Sequence, residues 1–146
     1  MFNPSREEAR RFFFDTWRKY RINEVLSGLE GTALDIILQH PEYHAMLSEP
    51  DNYIDRDYLP EFGETNPFLH MSMHLAIEEQ LSIDQPSGIR AHFQHLLEKG
   101  SAAHDAQHIA MDCLAEMIWQ AQRNQSSPDA AFYLECLEGK ARQRKT

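Results

Sequence analysis

Apolar residues recur along most of this chain three and four positions apart, with polar residues between them. That is the period of an amphipathic helix, and the strict alternation of a half-buried strand is scarce. Asn3-Pro4 sets an N-cap residue before a proline at the first helical position, which predicts a helix to about Tyr20. Its Phe13, Phe14 and Trp17 fall on one face, with Arg6, Arg10, Arg11 and Arg18 around them as a solvated surround. Ser27 to Glu30 has the spacing of a capping box and predicts a helix through Leu34, Ile37 and Leu38, which Pro41 should end. Pro41 can itself open a short helix through Leu47. From Ser48 to Glu64 the chain is acidic and carries prolines and a glycine with no clear period, so it reads as one long connection. Thr65-Asn66-Pro67 opens a helix to about Ser82, and Asp84-Gln85-Pro86 punctuates. A helix from about Ser87 to Lys99 ends at Gly100, as helices closed by a left-handed glycine do. Ser101 is expected to cap the longest helix, to about Asn124, and Ser127-Pro128 a last one, to Glu138.

These elements predict an all-α protein: a single-domain helical bundle of about six helices, three or four of them long, over residues 1–138. Residues 139–146 form a basic tail expected to fray. A length of 146 residues suits one domain with a core of its own. Composition adds exclusions. The net charge of −9 sets the surface against phosphate, so neither nucleic acid nor an anionic membrane is an expected partner. No apolar run approaches the roughly 20 residues of a spanning helix, and MFNPSREEARR does not read as a secretory signal. Cys113 and Cys136 are the only cysteines and form no CxxC pair. The expectation is a cytoplasmic chain with reduced thiols, Cys113 being buried packing.

The histidines change this picture most. Six of the eight form three HxxxH pairs: His40/His44, His70/His74 and His104/His108. Random placement in a chain of this length gives about 0.4 such pairs. Residues four apart on a helix share a face, with Cβ atoms about 5–6 Å apart, so two imidazoles can reach one metal ion. Two pairs continue in phase into a carboxylate, as His70-His74-Glu78 and His104-His108-Asp112. Ile77 and Leu81 follow the first stripe and Met111 and Ala115 the second, which turns both toward the core. Two facing helices so equipped offer up to six nitrogen and oxygen donors for one or two transition-metal ions, with iron or zinc first in order. The alternative for any single pair is a hydrogen-bonded core histidine or a solvated helix face. Pro41 interrupts the third pair. His44 can still approach the site from its own short helix, whereas His40 reads as a cap or surface residue. His92 and His95, three apart, read as structural or solvent-facing.

Several stretches together resemble one known family. They are FNPSR (2–6), HPEYH (40–44), NPFLHMSMH (66–74), EEQLSIDQPSGIR (78–90) and HDAQHIAMDCLAEMIWQAQR (104–123). The chain is similar over nearly all its length to a bacterial family known as domain of unknown function family 1841. The resemblance implies no activity. It does imply that glutamate is usual where this chain has Asp112. It also draws attention to Glu79, which lies opposite His70 on its helix, and to Glu116. Glu116 is a candidate to accept a hydrogen bond from a ligating imidazole.

Three functional classes follow. One is a metal-binding bundle that stores, senses or delivers an ion, or is held together by it. Another is a metal-dependent oxidase or hydrolase, which needs an open coordination position. The third is a metal-free acidic helical adaptor that docks a protein partner. No serine, lysine or tyrosine is marked as a catalytic partner, and a Cys–His nucleophilic pair is the weakest option. Enzyme status, partner and oligomeric state stay open from sequence.

Overall fold

A computed structural model describes residues 6–58, 66–100 and 102–143. Every regular element among them is helical. In chain order they are α1 (Arg6–Arg21), α2 (Leu29–Leu38), a 3-10 turn (Pro41–Tyr43), α3 (His44–Leu47), α4 (Pro50–Tyr53), α5 (Pro67–Ile83), α6 (Ile89–Glu98), α7 (Ala103–Arg123) and α8 (Ala130–Gln143). The expected all-α class is what the fold shows, with six of these helices ten residues or longer. None of the described helices is long and apolar enough to cross a membrane. By contacts the chain divides into two compact units, one up to Leu75 and one from Ala76, and α5 contributes to both.

The first unit is built around α1. Phe13, Phe14 and Trp17 form one buried face and pack with Ile36 and Ile37 of α2, Leu47 of α3, and Phe68 and Met71 of α5. Burial of each such side chain is worth about 1.5–3 kcal/mol. Half of the Ser27–Glu30 box forms: the Glu30 carboxylate accepts the backbone N–H of Ser27 at 3.1 Å, but the Glu30 N–H bonds the Ser27 carbonyl and Gly28 holds the cap position with no side-chain cap. Lys19 also donates to Glu30, at 2.8 Å. Asn66 caps α5, its Oδ1 accepting the N–H groups of Phe68 and Leu69 at 3.0 and 3.1 Å. The expected starts at Asn3-Pro4 and Thr65, and the cap at Ser101, lie outside the described residues.

Arg10 departs from the solvated surround expected of it. It is only 3% exposed. Its Nη1 donates to the carbonyls of Tyr53, Ile54 and Arg56 at 3.1, 3.0 and 2.8 Å, and its guanidinium lies 4.6 Å from the Phe68 ring centre. A cation can be buried when its donors are satisfied. Here it ties down the start of what the sequence suggests is a formless connection, and α4 lies inside that stretch.

In the second unit α6, α7 and α8 pack together. Ile89 and Leu96 of α6, Ala106, Ala110 and Cys113 of α7, and Tyr133 and Leu137 of α8 are all buried. Asp84 organises the entry to α6: its carboxylate accepts the N–H groups of Arg90 at 3.0 Å and Gly88 at 3.4 Å. The first of these bonds does most to lower its pKa. Gly100 ends the segment at φ +95, as its position after α6 predicts.

Three expectations are corrected here. Helix α8 is capped by Asp129, whose Oδ1 accepts the N–H groups of Ala131 and Phe132 at 3.0 and 3.3 Å, and not by Ser127. The helix then continues through Gly139 to Gln143, so much of the presumed tail is ordered helix. Finally, Cys113 and Cys136 form a disulfide, with Cα atoms 5.8 Å apart, that links α7 to α8. Reduced thiols were the expectation. The pairing was hidden because the two cysteines are 23 residues apart and adjacent only once the helices pack.

Candidate metal centre

His40 ends the α2 segment. Its backbone, at φ −126 and ψ 65, leaves the helical path because Pro41 starts the 3-10 turn. The residue holds the cap position before that turn, one of the two roles expected for it, and its side chain is 4% exposed, which corrects the surface role. Its Nδ1 lies 2.7 Å from the carbonyl oxygen of Ile36. A carbonyl can only accept, so Nδ1 carries a proton, and in the neutral ring the lone pair is then on Nε2. The ring stacks parallel on Tyr43 at 5.3 Å. Burial, and secondarily the charge of Glu42, raises the pKa of that tyrosine.

Helix α5 presents His70, His74 and Glu78 on successive turns. His74 is buried and His70 half-buried. Their Nε2 atoms are 3.2 Å apart, a hydrogen bond in which one ring donates and the other accepts. Both rings meet His40 edge-on, with centres 5.0 Å away for His70 and 4.9 Å for His74. Near the start of α7, His104 and His108 are half-buried one turn apart, with ring centres 4.3 Å from each other. Glu78 is half-buried and accepts a hydrogen bond from Gln107.

His40, His74, His104 and His108 each offer one ligand atom, and these four atoms all lie within 4.8 Å of one another. Such a group can hold a metal ion. It joins three histidines named from the paired triplets with His40, which sequence reasoning set aside. The signal for His40 was present in the HxxxH count. Pro41 was read only as a helix breaker, whereas it also turns the residue before it off the helical path.

The remaining candidates sit elsewhere. His70 is beside the group, in contact with His40 and His74. The His44 ring stacks on Trp17 at 4.4 Å. Its Nε2 is 2.8 Å from the carbonyl oxygen of Ile37, so that nitrogen is protonated and donating. Asp112 and Glu116 are exposed on α7, and Glu79 is exposed on α5. His92 and His95 are half-buried on α6.

Fold and site together define an all-α protein with a histidine cluster of metal-binding composition. The sequence pattern of the family described as domain of unknown function (DUF1841) matches residues 5–139, and the chain belongs to that family. No curated protein and no solved structure matches it.

Proposed function

We propose that this protein binds one transition-metal ion through His40, His74, His104 and His108. The observation that carries the proposal is the convergence of four imidazole ligand atoms within 4.8 Å. The hydrogen bond from His40 Nδ1 to a backbone carbonyl supports it. Ligating histidines characteristically donate their second nitrogen in this way, which fixes the tautomer and the ring orientation.

Four neutral nitrogens suit zinc first. Asp112 and Glu116 are exposed and Glu78 is engaged by Gln107, so the four donors include none of the carboxylate oxygens that iron sites of bundles commonly use. Tetrahedral zinc with bonds of about 2.0 Å sets its nitrogens about 3.3 Å apart. Modest imidazole rotations would close the group to that size. His70 then acts as a neighbour that hydrogen-bonds His74, and Glu78 as a carboxylate held by Gln107 one turn further along α5. Four protein ligands saturate zinc, which favours a structural, storage or delivery role over hydrolysis, since catalytic zinc keeps one position open.

Elemental analysis of untagged protein purified from metal-supplemented medium tests this. About one zinc per chain is expected, and His74→Ala with His108→Ala should abolish it. His70→Ala should retain it. Metal-free wild-type protein that takes up no added zinc, or unchanged content in the double variant, refutes the proposal. Iron at the same stoichiometry, lost in the same variant, would keep the ligand set and overturn the choice of metal.

A further inference from the structure

A second concave site lies wholly within the first unit and takes no part in the histidine cluster. It is a cleft of about 510 Å³ beside α1, walled by residues of α3 and α4. That volume is within the range of about 300–1,000 Å³ typical of small-molecule sites. Its floor is apolar, with Phe14, Trp17, Leu47 and Ile54 among the lining side chains. Arg11, Arg18 and Arg21 also line it, with Asp15 and Asp51. Glu7 and Glu24 beside the cleft engage Arg11 and Arg18, which leaves Arg21 as the guanidinium over the apolar floor without a carboxylate partner among the described residues. We propose that this cleft binds a small amphipathic monocarboxylate, with its apolar body on Trp17 and its carboxylate on Arg21.

Arg21 is singled out by its partners. Arg11 is engaged by Glu7 at 2.7 Å. Arg18 faces Asp15 at 4.0 Å and Glu24 at 3.7 Å. Arg21 has no carboxylate partner among the described residues. Its Nη1 donates instead to the Ser48 hydroxyl at 3.0 Å. That oxygen also accepts from Trp17 Nε1 at 3.0 Å and donates to the carbonyl of His44 at 3.0 Å. Ser48 therefore couples the guanidinium to the aromatic floor and fixes both. A guanidinium carries five N–H donors in a planar fork that matches a carboxylate, and only one nitrogen is engaged here. Behind Trp17 the His44 ring stacks at 4.4 Å and holds the indole in place. That gives His44, one of the paired histidines, a supporting role at this cleft. One guanidinium without a carboxylate partner favours a monoanion over a phosphate-rich ligand, which Asp15 and Asp51 would repel.

The test uses 2-naphthoate as probe and 2-naphthalenemethanol as its neutral counterpart. Titration followed by amide and indole NMR should shift the Trp17 indole N–H. The Trp119 indole, on α7 and 52% exposed, should stay in place. Arg21→Gln should weaken naphthoate binding about tenfold or more, the loss expected for one charge-assisted contact. The alcohol should bind the wild-type protein correspondingly more weakly than naphthoate. Ile22→Asp sets a new carboxylate at the rim on a residue already 56% exposed, so folding is preserved and binding should fall. Equal affinity for acid and alcohol, shifts confined to Trp119, or naphthoate affinity unchanged in both variants would each overturn the assignment, as would no binding at all.

Discussion

Replacing Arg10 with leucine isolates the largest departure between the expected surface of α1 and the one that forms. The guanidinium Nη1 donates to three carbonyls, at Tyr53, Ile54 and Arg56. One nitrogen has two hydrogens, so the three acceptors share two donors. Charge-assisted bonds are worth about 1.5–3 kcal/mol each, which gives about 3–6 kcal/mol gross. The cation–aromatic contact with Phe68 at 4.6 Å adds about 0.5–1 kcal/mol. Against this stands the cost of taking the charge out of water. Burial is the leading cause that lowers the Arg10 pKa, ahead of repulsion from Arg6. Leucine avoids that cost and keeps apolar contact with Phe68. It also leaves the Ile54 carbonyl without its side-chain donor and strips one of two donors from the other carbonyls, since Tyr53 keeps the Arg56 N–H and Arg56 keeps Arg6. The expected net loss is about 2–4 kcal/mol, within the range for breaking a buried polar network.

Urea unfolding followed by circular dichroism measures that loss, with Arg10→Lys as the companion variant. Lysine keeps the charge but presents a single point donor group, so an intermediate loss is expected. The damage should also be local. The Ile54 amide, bonded to the Pro50 carbonyl at 2.9 Å, should exchange with solvent faster in the leucine variant. A loss below about 0.5 kcal/mol, the scatter of surface substitutions, would refute the argument, as would unchanged exchange at Ile54.

Two further outcomes follow from the second unit. Cys113→Ser with Cys136→Ser opens a link between residues 23 apart. The loop-entropy relation gives a stability loss of about 3 kcal/mol, to be read as a lower urea midpoint, while an unchanged midpoint would contradict the cross-link. Tyr133 is fully buried and donates to Gln80 Oε1 at 2.7 Å. Burial raises its pKa far above the ordinary 10.0. The sign follows: the unfolded chain ionises first, so the stability contribution is complete below the unfolded value and is lost as pH rises through and beyond it. Wild-type protein should therefore lose stability above about pH 10, and Tyr133→Phe should flatten that alkaline limb. Equal alkaline slopes in the two proteins would count against the assignment.

Much of the fold was legible because local signals act within one turn. Asn66 before Pro67, Glu30 reaching back to the Ser27 N–H, and Gly100 each satisfy backbone groups a few residues away, so spacing alone reveals them. What escaped depends on neighbours distant in sequence. Arg10 is buried by carbonyls more than 40 residues away. Cys113 finds Cys136 only when α7 meets α8. At α8 two capping signals compete within three residues, and Asp129, not Ser127, has the geometry to reach the free N–H groups.

The site was half legible, and the helical period explains which half. Counted from His70 at about 100° per residue, His74 lies about 40° round α5, between buried Met71 at about 100° and buried Ile77 at about −20°. The stripe there runs through the core face, as the pattern predicts. On α7 the period is the same, but the core face is centred away from the stripe and meets it only at Met111. Counted from His104, the buried residues Ala106, Ala110, Cys113, Leu114 and Ala121 span about 180° to 280°, and buried Met111 carries the face on to about −20°, whereas Ala115 at about 20° is exposed. His104 and His108, at about 0° and 40°, flank that face and are half-buried. Asp112 has drifted to about 80°, and it emerges at the surface. A HxxxHxxxD stripe thus fixes which residues share a face without fixing which way the face looks. In α7 the alanines and Cys113 set that direction, because small side chains are where another helix can approach closely. A carboxylate eight residues beyond the first histidine is therefore a weaker ligand candidate than a histidine from another segment, and His40, turned off the helical path by Pro41, is the candidate for that place.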